Sequence, residues 1–180
     1  MKYKKLILPF ILFLSSLSSI SQDWQEVFRP NSTGNVSISD SYFYEEGNKY
    51  FVTGYFTNSL FLAVGDTLQC EGVTSTFIAS FDDKLNPLWV YEIDGSGHEF
   101  RSKMNLDAAG NVYVTGMFTG GAIFGDDTLS SDGIGDIYIT KLSKNGQLNW
   151  VKHIGRGESF QTHGRIMIDD NNDILPSFNH

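Results

Sequence analysis

Residues 111–118 read Asn-Val-Tyr-Val-Thr-Gly-Met-Phe, and residues 49–56 read Lys-Tyr-Phe-Val-Thr-Gly-Tyr-Phe. Phe51-Val52-Thr53-Gly54-Tyr55-Phe56 aligns with Tyr113-Val114-Thr115-Gly116-Met117-Phe118 at an offset of 62. The agreement continues in order along the chain. Asp66-Thr67-Leu68 recurs as Asp127-Thr128-Leu129, Phe77-Ile78 as Tyr138-Ile139 and Trp89 as Trp150, each 61 residues on, and Phe100 recurs as Phe160 after 60. A third copy begins where Met167-Ile168-Asp169 and Ile174-Leu175 follow Asn105-Leu106-Asp107 and Val112-Tyr113. One such match means little. An ordered series whose offset drifts only between 60 and 62 is the signature of duplication.

Each copy predicts β-structure. Lys49–Phe56 and Asn111–Phe118 are rich in Val, Tyr, Phe and Thr and follow Asn/Gly turn residues. Thr76–Phe81 and Ile137–Leu142 alternate as half-buried strands do. Tight turns follow at 83–87 and at 143–146, where Asn145-Gly146 is a favoured hairpin dipeptide. Trp89 and Trp150 open the returning strands, Leu88–Ile93 and Leu148–Ile154, and are expected to pack between adjacent units. Ser37–Tyr44, Ser102–Asp107 and Arg165–Asp169 supply a strand ahead of each Val-Thr-Gly strand. No stretch after the N-terminal segment holds a helical period over three turns. Gly54 and Gly116 fall where a strand bends or a neighbour approaches closely.

Four strands in about 60 residues, joined by short turns, describe one blade of a β-propeller. The expected architecture is therefore all-β, with propeller-like blades of four antiparallel strands. Residues 36–97 form the first blade, 98–160 the second and 161–180 part of a third. Residues 23–35, led by Trp24, read as a strand completing a neighbouring blade. That makes about two and a half blades where a propeller has four to eight. Pro176 and Phe178 stand where Val114 and Gly116 stand one copy earlier. The reading expects a fragment of a longer protein, or self-association through open blade edges.

Asp107-Ala108-Ala109-Gly110-Asn111-Val112-Tyr113-Val114-Thr115-Gly116, Phe124-Gly125, Asp136-Ile137-Tyr138-Ile139-Thr140-Lys141-Leu142, Asn145-Gly146-Gln147-Leu148-Asn149-Trp150 and Ile154-Gly155 together resemble the SBBP-type bacterial β-propeller repeat. The resemblance is specific over 98–160, looser over 36–97 and partial beyond 161. It implies a secreted or surface protein of the kind common in Bacteroidetes-like bacteria; it does not imply a defined enzymatic activity. Such proteins often carry a C-terminal sorting domain, which does not occur in this sequence.

The 180 residues carry 13 Lys and Arg against 21 Asp and Glu, with 14% aromatic residues, 41% hydrophobic residues and a single Cys. The aromatic and apolar content suffices for a core. One Cys excludes an internal disulfide framework and an all-Cys zinc site. A net charge of −8 opposes nucleic-acid binding, which needs a basic face. Lys2, Lys4 and Lys5, the apolar run Leu6–Leu14 and the small residues Ser19-Ile20-Ser21 make residues 1–22 read as a signal peptide. An uncleaved anchor is the rival, but the apolar run is too short to span a bilayer as a helix. Cleavage takes the net charge to −11, which disfavours anionic membranes as well. The expected location is outside the inner membrane, secreted or at the cell surface, with no membrane insertion after cleavage.

Oxygen-rich turns are the metal candidates. Asp169, Asn171 and Asp173 alternate as at the start of a calcium loop, and calcium takes 6–8 oxygen ligands. The same residues also make plain β-turns, as Asp107 and Asn111 do. Asp126-Asp127 and Asp132 with Asp136 are further acidic turns. His98, His153, His163 and His180 lack zinc-type spacing. Cys70 has no repeating His or acid partner for nucleophilic work. No cofactor other than calcium is indicated, and no catalytic residues are nominated. Two functions follow: a non-enzymatic binding module for an extracellular protein or glycan, or a fragment of a propeller hydrolase, lyase or quinoprotein whose active residues lie in missing blades.

Overall fold

A computed structural model describes residues 31–62, 67–131, 135–154, 165–169 and 173–177. The expected signal peptide, the strand led by Trp24, and Asp132, His163, Asn171 and His180 lie outside the described residues.

The described residues are all-β. Fifteen strands run in order: β1 Asn31–Ser32, β2 Val36–Tyr44, β3 Lys49–Phe56, β4 Ser59–Phe61, β5 Thr67–Gln69, β6 Ser75–Phe81, β7 Pro87–Gly95, β8 Glu99–Leu106, β9 Val112–Phe118, β10 Gly121–Phe124, β11 Asp127–Ser130, β12 Asp136–Leu142, β13 Leu148–Ile154, β14 Arg165–Ile168 and β15 Ile174–Ser177. Their pairing is antiparallel and none of the sheets is closed. Among the described residues no helix is long and apolar enough to cross a membrane.

The duplication is visible in the topology. In the first repeat β2, β3, β6 and β7 are neighbours in sequence order, and in the second β8, β9, β12 and β13 are. Gly54 pairs with Phe77 and Gly116 with Tyr138, so the two central registers coincide after an offset of 61–62. Both glycines have the same cause. The ring of Phe77 crosses Gly54, with its Cε1 2.9 Å from where a Cβ would stand, and the Tyr138 ring crosses Gly116 in the same way. The first strand of each repeat is bulged at one place, between Ile38 and Asp40 and between Phe100 and Lys103. Such bulges bend a strand and raise its twist. β14 and β15 repeat the pairing of β8 with β9, as Ile168 opposite Ile174 matches Leu106 opposite Val112. Pro176 fits there because, among the described residues, β15 has no second neighbour to receive its missing N–H.

Each repeat also inserts a hairpin between its second and third strands, β4–β5 in the first and β10–β11 in the second. The hairpin reaches back to the unit before it. β10 pairs with the end of β7 through Ala122 opposite Gly95 and Ile123 opposite Asp94. β4 pairs with β1 through Leu60 opposite Ser32 and Phe61 opposite Asn31. Asn31–Ser32 thus take the place that Asp94–Gly95 take one repeat later. This addition makes the sheet of the first repeat six-stranded, while that of the second has four strands.

The units pack face to face through two equivalent seams. Strand alternation sends Phe51 to one face of the first repeat, here called its back, and Val52 and Phe56 to the front. The first seam sets Phe51, Ile78, Ile93 and Trp89 from the back of the first repeat against Met104, Leu106, Val112 and Val114 from the front of the second. The second sets Tyr113, Ile139, Ile154 and Trp150 against Ile166, Ile168 and Ile174. The Phe51 and Trp89 rings stand 5.9 Å apart, and the Tyr113 and Trp150 rings 6.1 Å apart. Burying each large apolar side chain stabilises by about 1.5–3 kcal/mol, so the seams supply much of the folding energy. Hydrogen bonds between the units fix their register. Thr53 Oγ1 donates to Ser102 Oγ at 2.8 Å, and Asn105 Nδ2 donates to the Ile166 carbonyl at 3.2 Å.

One turn is used four times. Asp107 Oδ1 accepts the N–H groups of Ala109 and Asn111, and its Oδ2 accepts Asn111 Nδ2–H. Asp82 does the same for Lys84 and Asn86. Ser143 Oγ accepts from Asn145 and Gln147, and Asp169 Oδ1 accepts from Asp173. The left-handed position is held by Gly110 and Gly146 in the Asp107 and Ser143 turns, but by Leu85 in the Asp82 turn. Asn145 does not share the positive φ of Gly146, so this hairpin bends on one residue of the Asn-Gly pair.

Candidate functional site

At the end of β2 the sequence places three aromatic residues and two acids in succession, Tyr42 to Glu46. They line an open groove of about 410 Å³, completed by Ser41 and by Ala108 from the second repeat. The groove therefore sits at the outer end of the first seam. Tyr44 forms its floor: the hydroxyl lies 3.1 Å from both the Ala108 carbonyl and Glu46 Oε2. One proton serves the two acceptors. Desolvation first, then the hydrogen bond and charge of Glu46, hold the Tyr44 phenol above its ordinary pKa, so it stays a neutral donor. Its ring rests on Gly110, whose φ of +81° and close approach both require glycine. Tyr42 and Phe43 remain 44% and 41% exposed, and Phe43 stacks on Tyr50 at 4.7 Å on the opposite face of the hairpin. Aromatic faces can take the C–H faces of a sugar while the neighbouring carboxylates accept hydrogen bonds from its hydroxyl groups.

A second polar group is enclosed in the seam. Glu99 opens β8 and is wholly buried, its two carboxylate oxygens without a hydrogen-bond partner. It lies against the first repeat, where a Cβ on Gly95 would come within 2.8 Å of its Oε1. Burial, then the charge of Asp94, push the Glu99 carboxyl up to about 8. The buried Tyr138 phenol is also without a satisfying partner. Burial raises its pKa most; Thr76 opposes this and the Glu99 charge adds to it. Burial likewise moves Glu92 up to about 7, with Asp94 and Glu71 contributing. The first repeat carries Val36 and Phe77 at the positions of Glu99 and Tyr138. The duplicated fold thus has an apolar version of the same packing, and the acid and phenol are extra to it.

Among the metal candidates, Asp169 and Asp173 are described and join in the turn above, closed also by the Asp169 N–H bond to the Asp173 carbonyl at 3.1 Å. Asn171 falls outside the described residues. Asp126 and Asp127 are exposed in the β10–β11 hairpin. Asp136 is buried, and its Oδ2 meets His153 Nε2 at 2.9 Å. Among the described residues no group of three or more His, Cys, Asp and Glu side chains is gathered as for a metal ion. Cys70 is half-buried and a free thiol, raised in pKa first by burial.

Sequence reasoning nominated none of the groove residues and neither Glu99 nor Tyr138. The groove joins Tyr44 to Ala108, 64 residues apart, which no local pattern reveals. The signal for the buried pair was present: aligning the two copies sets Glu99 against Val36 and Tyr138 against Phe77.

No known protein-family model matches the chain, and no curated protein matches it.

Proposed function

We propose that this chain is a secreted or cell-surface binding module built from propeller-type blades, acting without catalysis, and that its ligand is a glycan. The observation that carries the reading is the groove of Tyr42, Phe43, Tyr44, Glu45 and Glu46 at a seam between units. The two equivalent seams, the repeated hairpin and the likeness to SBBP-type repeats support stacked blades. The charged, apolar and small-residue pattern of residues 1–22 supports export. A rigid sheet end is a suitable platform, since aromatic side chains held by β-structure lose little freedom on binding.

The test is a panel of bacterial and host oligosaccharides, read by calorimetry against the chain and against Tyr42→Ala and Glu46→Gln. A bound glycan whose affinity falls at least tenfold in both variants supports the assignment. Binding unaffected by either substitution overturns the groove as the site, and turnover of the bound glycan overturns the non-catalytic part.

A further inference from the structure

The first strand pair of each repeat has two faces, and the residue pairs on them correspond through the three repeats. On the front face they are Phe43 with Tyr50, Leu106 with Val112 and Ile168 with Ile174. On the back face they are Tyr42 with Phe51, Asn105 with Tyr113 and Met167 with Leu175. In the first seam the back of the first repeat covers the second front pair, and Val112 is wholly buried. In the second seam Tyr113 helps cover Ile168 and Ile174. Two pairs are left over, and both are open. Phe43 and Tyr50 are 41% and 37% exposed on the first front face, and Met167 and Leu175 are 55% and 50% exposed on the third back face. Among the described residues, one apolar face of each kind that the seams bring together is therefore left open.

We propose that these two faces bind each other between copies of the chain. The back of β14–β15 in one copy docks on the front of β2–β3 in the next, forming a third seam with the geometry of the two internal ones. The occupant is argued from those seams: the strand pairing, register and alternation of the open faces match those already joined twice within the chain. Four exposed apolar side chains become buried, a favourable change proportional to the area removed from water. The contact is heterologous, so it builds a ring if the rotation closes and a filament if it does not. Of the four side chains only Phe43 also lines the groove, so the contact is tested through Tyr50, Met167 and Leu175, which do not.

Sedimentation velocity over a concentration series tests it, with Tyr50→Lys on the front face and Leu175→Lys on the back. Tyr50→Ser and Met167→Lys serve as second choices if either variant melts below the parent chain. The expected result is concentration-dependent assembly of the parent, weakened at least tenfold in each single variant. Mixing the two variants should restore a one-to-one dimer and nothing larger, because each keeps the face that the other lost. A parent chain monomeric throughout overturns the proposal, as when residues 1–30 of the same chain cover the front face. Undiminished assembly of either variant alone also overturns it, showing a face that binds itself or a different surface. A mixture that stays monomeric overturns it too.

Discussion

The indole Nε1 of Trp89, on the first repeat, donates a hydrogen bond to the Lys144 carbonyl of the second repeat at 3.1 Å. The bond reaches across 55 residues to a turn that the next unit uses to join its last two strands. Trp89 is thus a strand residue of one unit and a support for the turn of another. Replacing Trp89 with Phe keeps most of the packing and loses the hydrogen bond, for an expected cost of about 1 kcal/mol. Trp89→Ala loses the packing as well. Because the side chain is half-buried, about 2–3 kcal/mol is expected, at the low end for such truncations. Urea unfolding of the three proteins checks both values.

Gly146 lies beneath that indole. Its φ is +81°, and a Cβ would stand 2.7 Å from Trp89 Cδ2. Gly146→Ala therefore meets both backbone strain and a ring, and a loss of about 2–3 kcal/mol is expected. Leu85 holds the equivalent left-handed position with φ +61°. Leu85→Gly should relieve its strain and stabilise by up to about 1 kcal/mol, while a loss would show that the Leu85 side chain is needed. Thermal and urea melts of the pair give opposite signs if the turn is as described.

Glu99 gives stability a pH dependence. Its folded value of about 8 lies above that of an exposed carboxyl, so the folded state binds more protons between the two values. The stabilisation is complete below the unfolded pKa near 4.5 and is lost as pH rises through about 8. Glu92, raised to about 7, acts in the same direction. Urea midpoints should fall from pH 5 to pH 8. Glu99→Val with Tyr138→Phe, which copies Val36 and Phe77, should flatten much of that slope. At pH 8 it should exceed the parent by a few kcal/mol. A parent chain equally stable at both pH values contradicts the burial of a carboxyl in the seam.

Asp107 works in the opposite direction. Burial raises its carboxyl, but the Asn111 hydrogen bonds and the Lys141 ammonium, 3.3 Å away, outweigh it and leave the pKa below the ordinary value. Its contribution is present above that ordinary value and disappears as pH falls through the lowered one. Asp107→Ala leaves Lys141 without its carboxylate and the turn N–H groups unmet, so a cost of about 3 kcal/mol is expected. Asp82→Ala removes the same turn bonds from a more exposed site without a salt bridge, and should cost clearly less. The ordering of the two in urea unfolding is the check.

The repeat was legible because duplication leaves an ordered offset that tertiary context cannot erase. Lys49–Phe56 and Leu148–Ile154 were predicted with the bounds they have in the fold. Trp89 and Trp150 pack in seams, as their position opening a returning strand implies. The β10–β11 hairpin leaves no separate signal in the sequence, although Asp127-Thr128-Leu129 repeats Asp66-Thr67-Leu68. Its strands have four residues each and begin at Gly121, too short for alternation to register. Its pairing with Gly95 and Asp94 depends on a neighbouring unit. Asp136 was read as a possible oxygen ligand, whereas strand pairing brings His153 to it from 17 residues on. The groove was invisible for the same reason, since Ala108 reaches Tyr44 only when two units stack.

Front-to-back stacking of duplicated units is most directly tested by nuclear magnetic resonance, through the contact between Trp89 and Gly146. The account predicts nuclear Overhauser cross-peaks between the Trp89 indole protons and the Gly146 α-protons, with those α-protons shifted by the ring current. A folded sample with assigned resonances that shows neither the cross-peaks nor the shift would contradict it.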